Sequence, residues 1–169
     1  MIYLDDEITQ EDASRIHQQI AFWNRIDMED GIPADERIPI RLYINTPGGD
    51  LNAVFSIIGI IKNSTTPIHT ITFGTGYSGG FFIGICGHKR FGYPYSSFLF
   101  HEGSIMDFGD THKFLQGTEF HKIQFEKMKK IVLDNTKISS EEYENHKKDD
   151  WYLTAEQALT YGVIDEILT

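Results

Sequence analysis

The sequence is poor in cysteine, in positive charge and in long hydrophobic runs, and each shortage excludes a class of protein. Cys86 is the one cysteine in 169 residues, so no internal disulfide can form and a reducing, cytoplasmic compartment is expected. No apolar stretch approaches membrane-spanning length, and Met1 to Glu7 lacks the basic start and apolar run of a secretory signal. The formal net charge of −10 argues against nucleic acid as a partner, because it repels phosphate backbones.

Metal-binding patterns are missing as well. No group of His, Cys, Asp and Glu has the spacing of zinc ligands, and His112 and His121 are too far apart in helical register to share one metal. The basic run from Lys127 to Lys130 is interpreted as a solvated helix face. The sequence therefore predicts no metal, no cofactor and no membrane partner.

The chain has the composition of a folded globule, with 40% hydrophobic and 13% aromatic residues. Its length suits one hydrophobic core, so a single domain over residues 1–169 is predicted. Strand-like runs alternate with helical periods, which indicates an α/β fold. A unit of strand, glycine turn and helix occurs twice in succession.

Periodicity, caps and turns predict where the elements lie. The predicted strands are Met1 to Leu4, Ile38 to Asn45, Ile68 to Phe73, one or two strands within Phe91 to Phe100, and Val163 to Ile167. The predicted helices are Thr9 to Arg25, Asp50 to Lys62, Ser78 to Cys86, Thr111 to Asp134, and two short helices capped by Ser139 and Thr154. Loops are predicted at Asp27 to Arg37, expected to be the most disordered segment, and at Glu102 to Asp110.

Ser78 stands in the segment GTGYSGG (74–80), between an apolar strand and a small-residue helix. Glycines there, and in PGG at 47–49, let backbone N–H groups approach a developing oxyanion. A serine nucleophile needs a base, usually His, and of seven histidines only His101 ends an apolar strand just after the Ser78 helix. The pattern indicates acyl transfer, with peptide hydrolysis as the favoured reaction.

The segment GYSGG (76–80) also fits the G-x-S-x-G elbow of the α/β-hydrolases. Five residues are a weak signal, since three glycines can mark no more than a tight turn. The hydrolase interpretation further requires the catalytic residues in the chain order Ser, Asp, His. An acid that follows His101 would give the order Ser, His, Asp instead.

Four separated stretches carry a resemblance to a known family. They are LYINTPGG at 42–49, the Ser78 turn, KRF at 89–91 with FLFH at 98–101, and DWYLTAEQA at 150–158 with YGVID at 161–165. In this order, and over nearly the whole chain, the sequence is similar to the ClpP family, the proteolytic subunits of the ATP-dependent Clp proteases.

The resemblance implies a fold and a set of catalytic residues. The fold is a ClpP/crotonase-type spiral of β-β-α units, with a handle helix at about 111–134 projecting from a head made of 1–110 and 135–169. Ser78 would be the nucleophile, His101 the general base and then acid, and Asp150 the orienting acid. Asp149 is the adjacent alternative, but the family has its Asp three residues before Leu-Thr-Ala, which points to Asp150. The implied oxyanion donors are the backbone N–H groups of Gly49 and Gly79.

The resemblance also implies stacked heptameric rings, joined through the handle helices, that enclose a chamber for unfolded polypeptide. Apolar positions on the predicted handle exceed one stripe, which agrees with a subunit contact. The chain opens at what resembles the family's first core strand, so the pore loops and part of the seat for an AAA+ Clp ATPase are expected to be missing. This expectation counts against regulation by such an ATPase.

The sequence departs from the family in several places. Tyr77 replaces the usual Ala before the nucleophile, Gly79 replaces the usual Met after it, Glu102-Gly103 replaces Gln-Pro after the base, and the segment 27–37 is longer. The leading interpretation is a serine endopeptidase acting in an oligomeric chamber. Three alternatives stay open, namely a ClpP-like capsid-maturation (prohead) protease, a non-proteolytic ClpP-like ring subunit, and a crotonase-type enzyme acting on acyl-CoA.

Overall fold

A largely parallel sheet flanked by helices forms the protein. The computed structural model describes the backbone of residues 1–103 and 111–169, and the side chains of these residues except 111–116. The strands are β1 (Ile2–Asp5), β2 (Ile40–Thr46), β3 (Ile68–Tyr77), β4 (Lys89–Gly92), β5 (Ser97–Phe100), β6 (Trp151–Thr154) and β7 (Glu166–Ile167). The helices are α1 (Gln10–Glu29), α2 (Leu51–Asn63), α3 (Gly79–Gly84), α4 (Thr111–Asn135), α5 (Ser140–His146) and α6 (Ala155–Thr160).

Strand β3 is the branch point of the sheet. The described strands run in the order β1-β2-β3-β4-β7, with parallel neighbours throughout. The first half of β3, His69 to Thr72, pairs with β4, and its second half, Thr75 to Tyr77, pairs with β5. Strand β6 then adds to β5 in the antiparallel direction. The predicted ClpP/crotonase-type α/β architecture is confirmed, with α4 as the long helix.

The predicted helix caps are confirmed. The Asp50 carboxylate accepts a hydrogen bond from the Ala53 N–H (2.7 Å) and so starts α2. Ser139 and Thr154 each form a capping box, at the starts of α5 and α6. Gly162 follows α6 with a φ of 67°, the left-handed conformation in which glycine commonly ends helices.

Several element boundaries differ from the sequence prediction. Helix α1 continues to Glu29 instead of ending near Arg25, because Asp27 is buried and accepts a hydrogen bond from the Thr66 hydroxyl. The segment predicted as a loop therefore begins in a helix. Most of the predicted loop at 102–110, and the side chains of Phe114 and Leu115, lie outside the described residues.

The core lies between the sheet and helices α1 to α3. The buried face of α2 consists of Ala53, Val54, Ile57, Ile58 and Ile61. On α1, Ile16 and Ile20 are buried as their spacing predicts, whereas Trp23, predicted on the same stripe, is 47% exposed. Burial of this kind stabilises by roughly 25 cal/mol per Å² of apolar surface removed from water.

Arg90 joins three separate segments near the end of the sheet. Its guanidinium donates to the Asp165 carboxylate (Nε to Oδ2, 3.0 Å), to the Gly162 carbonyl (2.7 Å) and to the Asn135 carbonyl. The Arg90 side chain is only 16% exposed. Burial acts to raise the pKa of Asp165, but the hydrogen bonds from Arg90 outweigh it and lower that pKa.

We expect Arg90→Met to lower the free energy of unfolding by about 2–4 kcal/mol, since it leaves one carboxylate and two carbonyls without the largely buried guanidinium that donates to them. The neighbouring Lys89 is a matched control, because its ion pair with Glu166 (3.0 Å) is about half exposed on both sides. Lys89→Met should cost less than about 1 kcal/mol. Urea unfolding at one protein concentration measures both.

The effect of Arg90→Met should also depend on pH. Because the pKa of Asp165 is lower in the folded than in the unfolded chain, the pair stabilises the fold at pH above about 4. Its contribution is lost as pH falls through the lower, folded-state pKa. The stability difference between wild type and Arg90→Met should therefore shrink below pH 4. Equal losses for the Arg90 and Lys89 variants at neutral pH would contradict this account.

Candidate active site

Ser78 occupies a sharp turn of one residue between β3 and α3. Its φ of 51° and ψ of −115° are values that L-residues rarely adopt and that cost about 1–3 kcal/mol. The Ser78 N–H donates to the Leu99 carbonyl of β5 (3.0 Å), which fixes the turn to the strand that precedes His101. A strained turn at the end of a strand holds the hydroxyl out from the sheet.

The Pro-Gly-Gly turn lies directly against this serine. A Cβ atom on Gly48, whose φ is 109°, would lie 2.8 Å from the Cβ and 3.1 Å from the Oγ of Ser78. Glycine is required there because the backbone approaches the hydroxyl too closely for any side chain. No role was predicted for Gly48 from the sequence, although the paired glycines were a signal for one.

Gly49 is held by a parallel bridge to Ile8. The Ile8 N–H donates to the Gly48 carbonyl (2.8 Å), and the Asp50 N–H donates to the Ile8 carbonyl (2.9 Å). In parallel pairing the residue between two such bonds directs its own N–H to the opposite side. The Gly49 N–H is therefore directed away from Ile8, and Gly49 lines the cavity that holds Ser78.

Gly79 is the first residue of α3, and its N–H belongs to the first turn, where helical N–H groups have no partner within the helix. A Cβ atom on Gly79 would lie 2.5 Å from Cγ2 of Val54 and 3.0 Å from Cδ1 of Ile8. The glycine that replaces the family's usual methionine is thus matched to the close approach of α2.

His101 and Asp150 are brought together by the pairing of β5 with β6. Phe100 is opposite Trp151 in the antiparallel register. The residue after Phe100, His101, is therefore opposite the residue before Trp151, Asp150. The His101 Nδ1 lies 3.3 Å from the Asp150 Oδ1, slightly beyond the usual N–H···O range of about 2.7–3.2 Å. Asp149, the alternative acid, has its N–H bonded to the His146 carbonyl in the turn after α5 (3.1 Å).

A cavity of about 230 Å³ collects most of the predicted residues. Its wall consists of Gly49, Leu51, Val54, Ser78, Gly79, Phe82, His101, Glu102, Gly103 and Met128. Asp150 lies behind His101, outside this wall. A larger cavity of about 710 Å³ lies between the end of α1 and the start of β2, and none of the predicted catalytic residues lines it.

Glu102 lines the cavity beside Ser78. From the sequence, nothing was predicted for it beyond its departure from the family. The Tyr143 hydroxyl donates to its Oε1 (3.0 Å). Tyr143 is fully buried, and burial, followed by the charge of Glu102, raises the pKa of Tyr143 well above its ordinary range. The phenol therefore stays protonated and remains a hydrogen-bond donor to Glu102.

Other candidate chemistry is limited. Cys86 is 1% exposed, and burial raises the pKa of its thiol to about 11, so the thiol is not an activated nucleophile. Within the described part of the chain, no three His, Cys, Asp or Glu side chains converge as metal ligands. The described helices include none long and apolar enough to cross a membrane.

Comparison with known proteins agrees with the geometry. The family model described as Clp protease matches residues 1–169. The chain is also similar to the ATP-dependent Clp protease proteolytic subunit 2 of Treponema pallidum (strain Nichols). The two are 28% identical over 170 residues, which cover 99% of this chain and 81% of the relative. The chain belongs to the Clp protease family.

Proposed function

We propose that the protein is a serine endopeptidase that hydrolyses peptide bonds of unfolded proteins or peptides. Ser78 attacks the scissile carbonyl, His101 takes its proton and later gives it to the leaving amine, and Asp150 holds the imidazole in the required orientation. The observation that carries the proposal is the arrangement of these three residues. Ser78 and His101 line one cavity, and the Asp150 Oδ1 lies 3.3 Å from the His101 Nδ1.

The backbone around Ser78 supplies the second half of the mechanism. The attacked carbonyl becomes an oxyanion, which needs donors that are already in place. The N–H groups of Gly49 and Gly79 are the proposed donors, since both residues line the cavity and neither N–H is used by the adjoining strand bridge or helical turn. Each such donor lowers the barrier by about 3 kcal/mol.

We further propose that residues 1–169 form one ClpP-like domain, which assembles into stacked heptameric rings around a chamber in the manner of the family. Among the described residues, one core cluster contains residues from β1 through Ile164 and includes Met128 and Val132 of α4, which supports one domain. Phe120 and Ile123 of α4 are 54% and 55% exposed, and a handle contact between subunits would cover such apolar side chains.

The proposal is tested by reacting the purified protein with a fluorophosphonate probe and measuring intact mass, beside a Ser78→Ala control. We expect one adduct on each wild-type chain and none on the variant, because the probe reacts with activated serines. An unlabelled wild type would contradict an endopeptidase and favour the non-proteolytic ring subunit.

A further inference from the structure

The cavity beside Ser78 combines an apolar wall with a single acidic group. Leu51, Val54, Phe82 and Met128 supply the apolar part of the wall. Glu102 supplies a carboxylate, and no lysine or arginine is among the described residues that line the cavity. A side chain that binds here therefore meets hydrocarbon along its length and a negative charge at one place.

Hydrogen bonds hold both the side chain and the backbone of Glu102 in position. The buried Tyr143 hydroxyl donates to Oε1 (3.0 Å), and the Glu102 backbone N–H donates to the Lys147 carbonyl (3.0 Å). Tyr143 is itself fixed by packing against Phe100, with ring centres 5.1 Å apart. One hydrogen bond to Oε1 leaves the other carboxylate oxygen able to accept from a ligand.

The neighbouring cations, one on α4 and one just after α5, form their ion pairs with a different acid. Lys129 and Lys147 both bind Glu144, at 2.7 and 2.6 Å. Among the described residues, Glu102 forms no ion pair of its own, although its charge adds to the effect of Glu144 in raising the pKa of Lys147. Asp150, whose carboxylate lies 3.3 Å from the His101 Nδ1, adds a second negative charge just outside the cavity wall.

We propose that this cavity binds a lysine or arginine side chain of the substrate, so that cleavage follows basic residues. This inference rests on the proposed serine endopeptidase function. The methylene stem of the side chain lies along Leu51, Phe82 and Met128, and its cationic end donates to Glu102. A carboxylate in the pocket beside a nucleophilic serine is a known source of preference for basic residues.

The test compares three coumarin-amide peptides that differ only at the residue before the scissile bond: lysine, its uncharged analogue norleucine, and glutamate. We expect wild-type kcat/KM to be at least about 10-fold higher for lysine than for norleucine, and lowest for glutamate. Glu102→Gln keeps an acceptor for Tyr143 and removes the charge, so it should reduce the lysine-to-norleucine ratio by about 10-fold or more.

Glu141→Gln is the matched control, because it removes the same charge from an exposed position on α5 outside the cavity. Its lysine-to-norleucine ratio should equal that of wild type. A wild type that is labelled by the fluorophosphonate but cleaves the lysine peptide no faster than the norleucine peptide overturns this inference alone. An unchanged ratio in Glu102→Gln does the same. Absence of both labelling and cleavage overturns the proposed function and this inference with it.

Discussion

Replacing Asp150 by Asn should lower kcat/KM for peptide hydrolysis by about 10⁴-fold, the typical cost of losing the orienting acid of a Ser-His-Asp triad. The amide can donate to the His101 Nδ1 where the carboxylate accepts, and this favours the imidazole tautomer that cannot take the proton from Ser78. The charge that supports the imidazolium is lost at the same time. Steady-state hydrolysis of a fluorogenic peptide measures the effect.

Asp149→Asn is the natural control for this change, since it alters the adjacent residue in the same way. The Asp149 backbone N–H donates to the His146 carbonyl, whereas it is the Asp150 carboxylate that lies 3.3 Å from the His101 Nδ1. Asp149 is exposed, and removal of its charge should change the rate by less than about threefold. If Asp149→Asn lost most of its kcat/KM and Asp150→Asn lost little, Asp149 and not Asp150 would be the acid that orients His101.

The parts of the fold that depend on local chemistry could be predicted from the sequence. The apolar period of α2, its Asp50 cap and the two capping boxes all act within a few residues, and each lies where predicted. Boundaries that depend on distant partners were wrong. Asp27 looked like a loop residue because its partner, Thr66, is 39 positions away.

The glycine segment before Ser78 shows the same limit. Strand β3 was expected to end at Phe73, but it continues to Tyr77 because Thr75, Gly76 and Tyr77 pair with β5. Gly74 lies within the strand and not in a turn. Glycine is needed there for close packing, since a Cβ atom would lie 2.2 Å from Oδ1 of Asn45. The turn is confined to Ser78 itself.

The strand predicted at Val163 to Ile167 is shorter for a similar reason. Val163 and Ile164 belong to the turn after α6, where both N–H groups donate to the Ala158 carbonyl (2.8 and 3.3 Å). Only Glu166 and Ile167 pair with β4. An apolar run alone does not distinguish a buried turn from a buried strand.

The candidate site was more predictable than these boundaries, because motifs mark it. Ser78, His101 and Asp150 could be assigned from resemblance, and the register of β5 with β6 gives a physical reason for the last two to meet. The role proposed for Glu102 could not be found in this way. It depends on Tyr143, 41 positions along the chain, and on the absence of cations among the described residues lining the cavity.

Gly49→Ala should reduce kcat/KM by at least about 10²–10³-fold, the typical cost of losing one oxyanion donor. A Cβ atom at this position would lie 2.4 Å from the carbonyl oxygen and 2.5 Å from the nitrogen of Ile8. Because both obstacles are backbone atoms, no side-chain rotation relieves the clash. The bridge to Ile8 must open, and the Gly49 N–H then moves from the edge of the cavity.

Gly59→Ala separates this local effect from a general intolerance of alanine. Gly59 lies in the interior of α2, and a Cβ there would meet nothing within 4 Å, so the change should raise stability by about 0.5–1 kcal/mol and leave hydrolysis unchanged. Thermal unfolding and peptide hydrolysis are measured for both variants. If Gly49→Ala hydrolysed peptide at the wild-type rate, the Gly49 N–H would not be an oxyanion donor. If it kept its fluorophosphonate labelling and lost only hydrolysis, Ser78 would still be activated and the loss would lie in the geometry of the peptide's transition state.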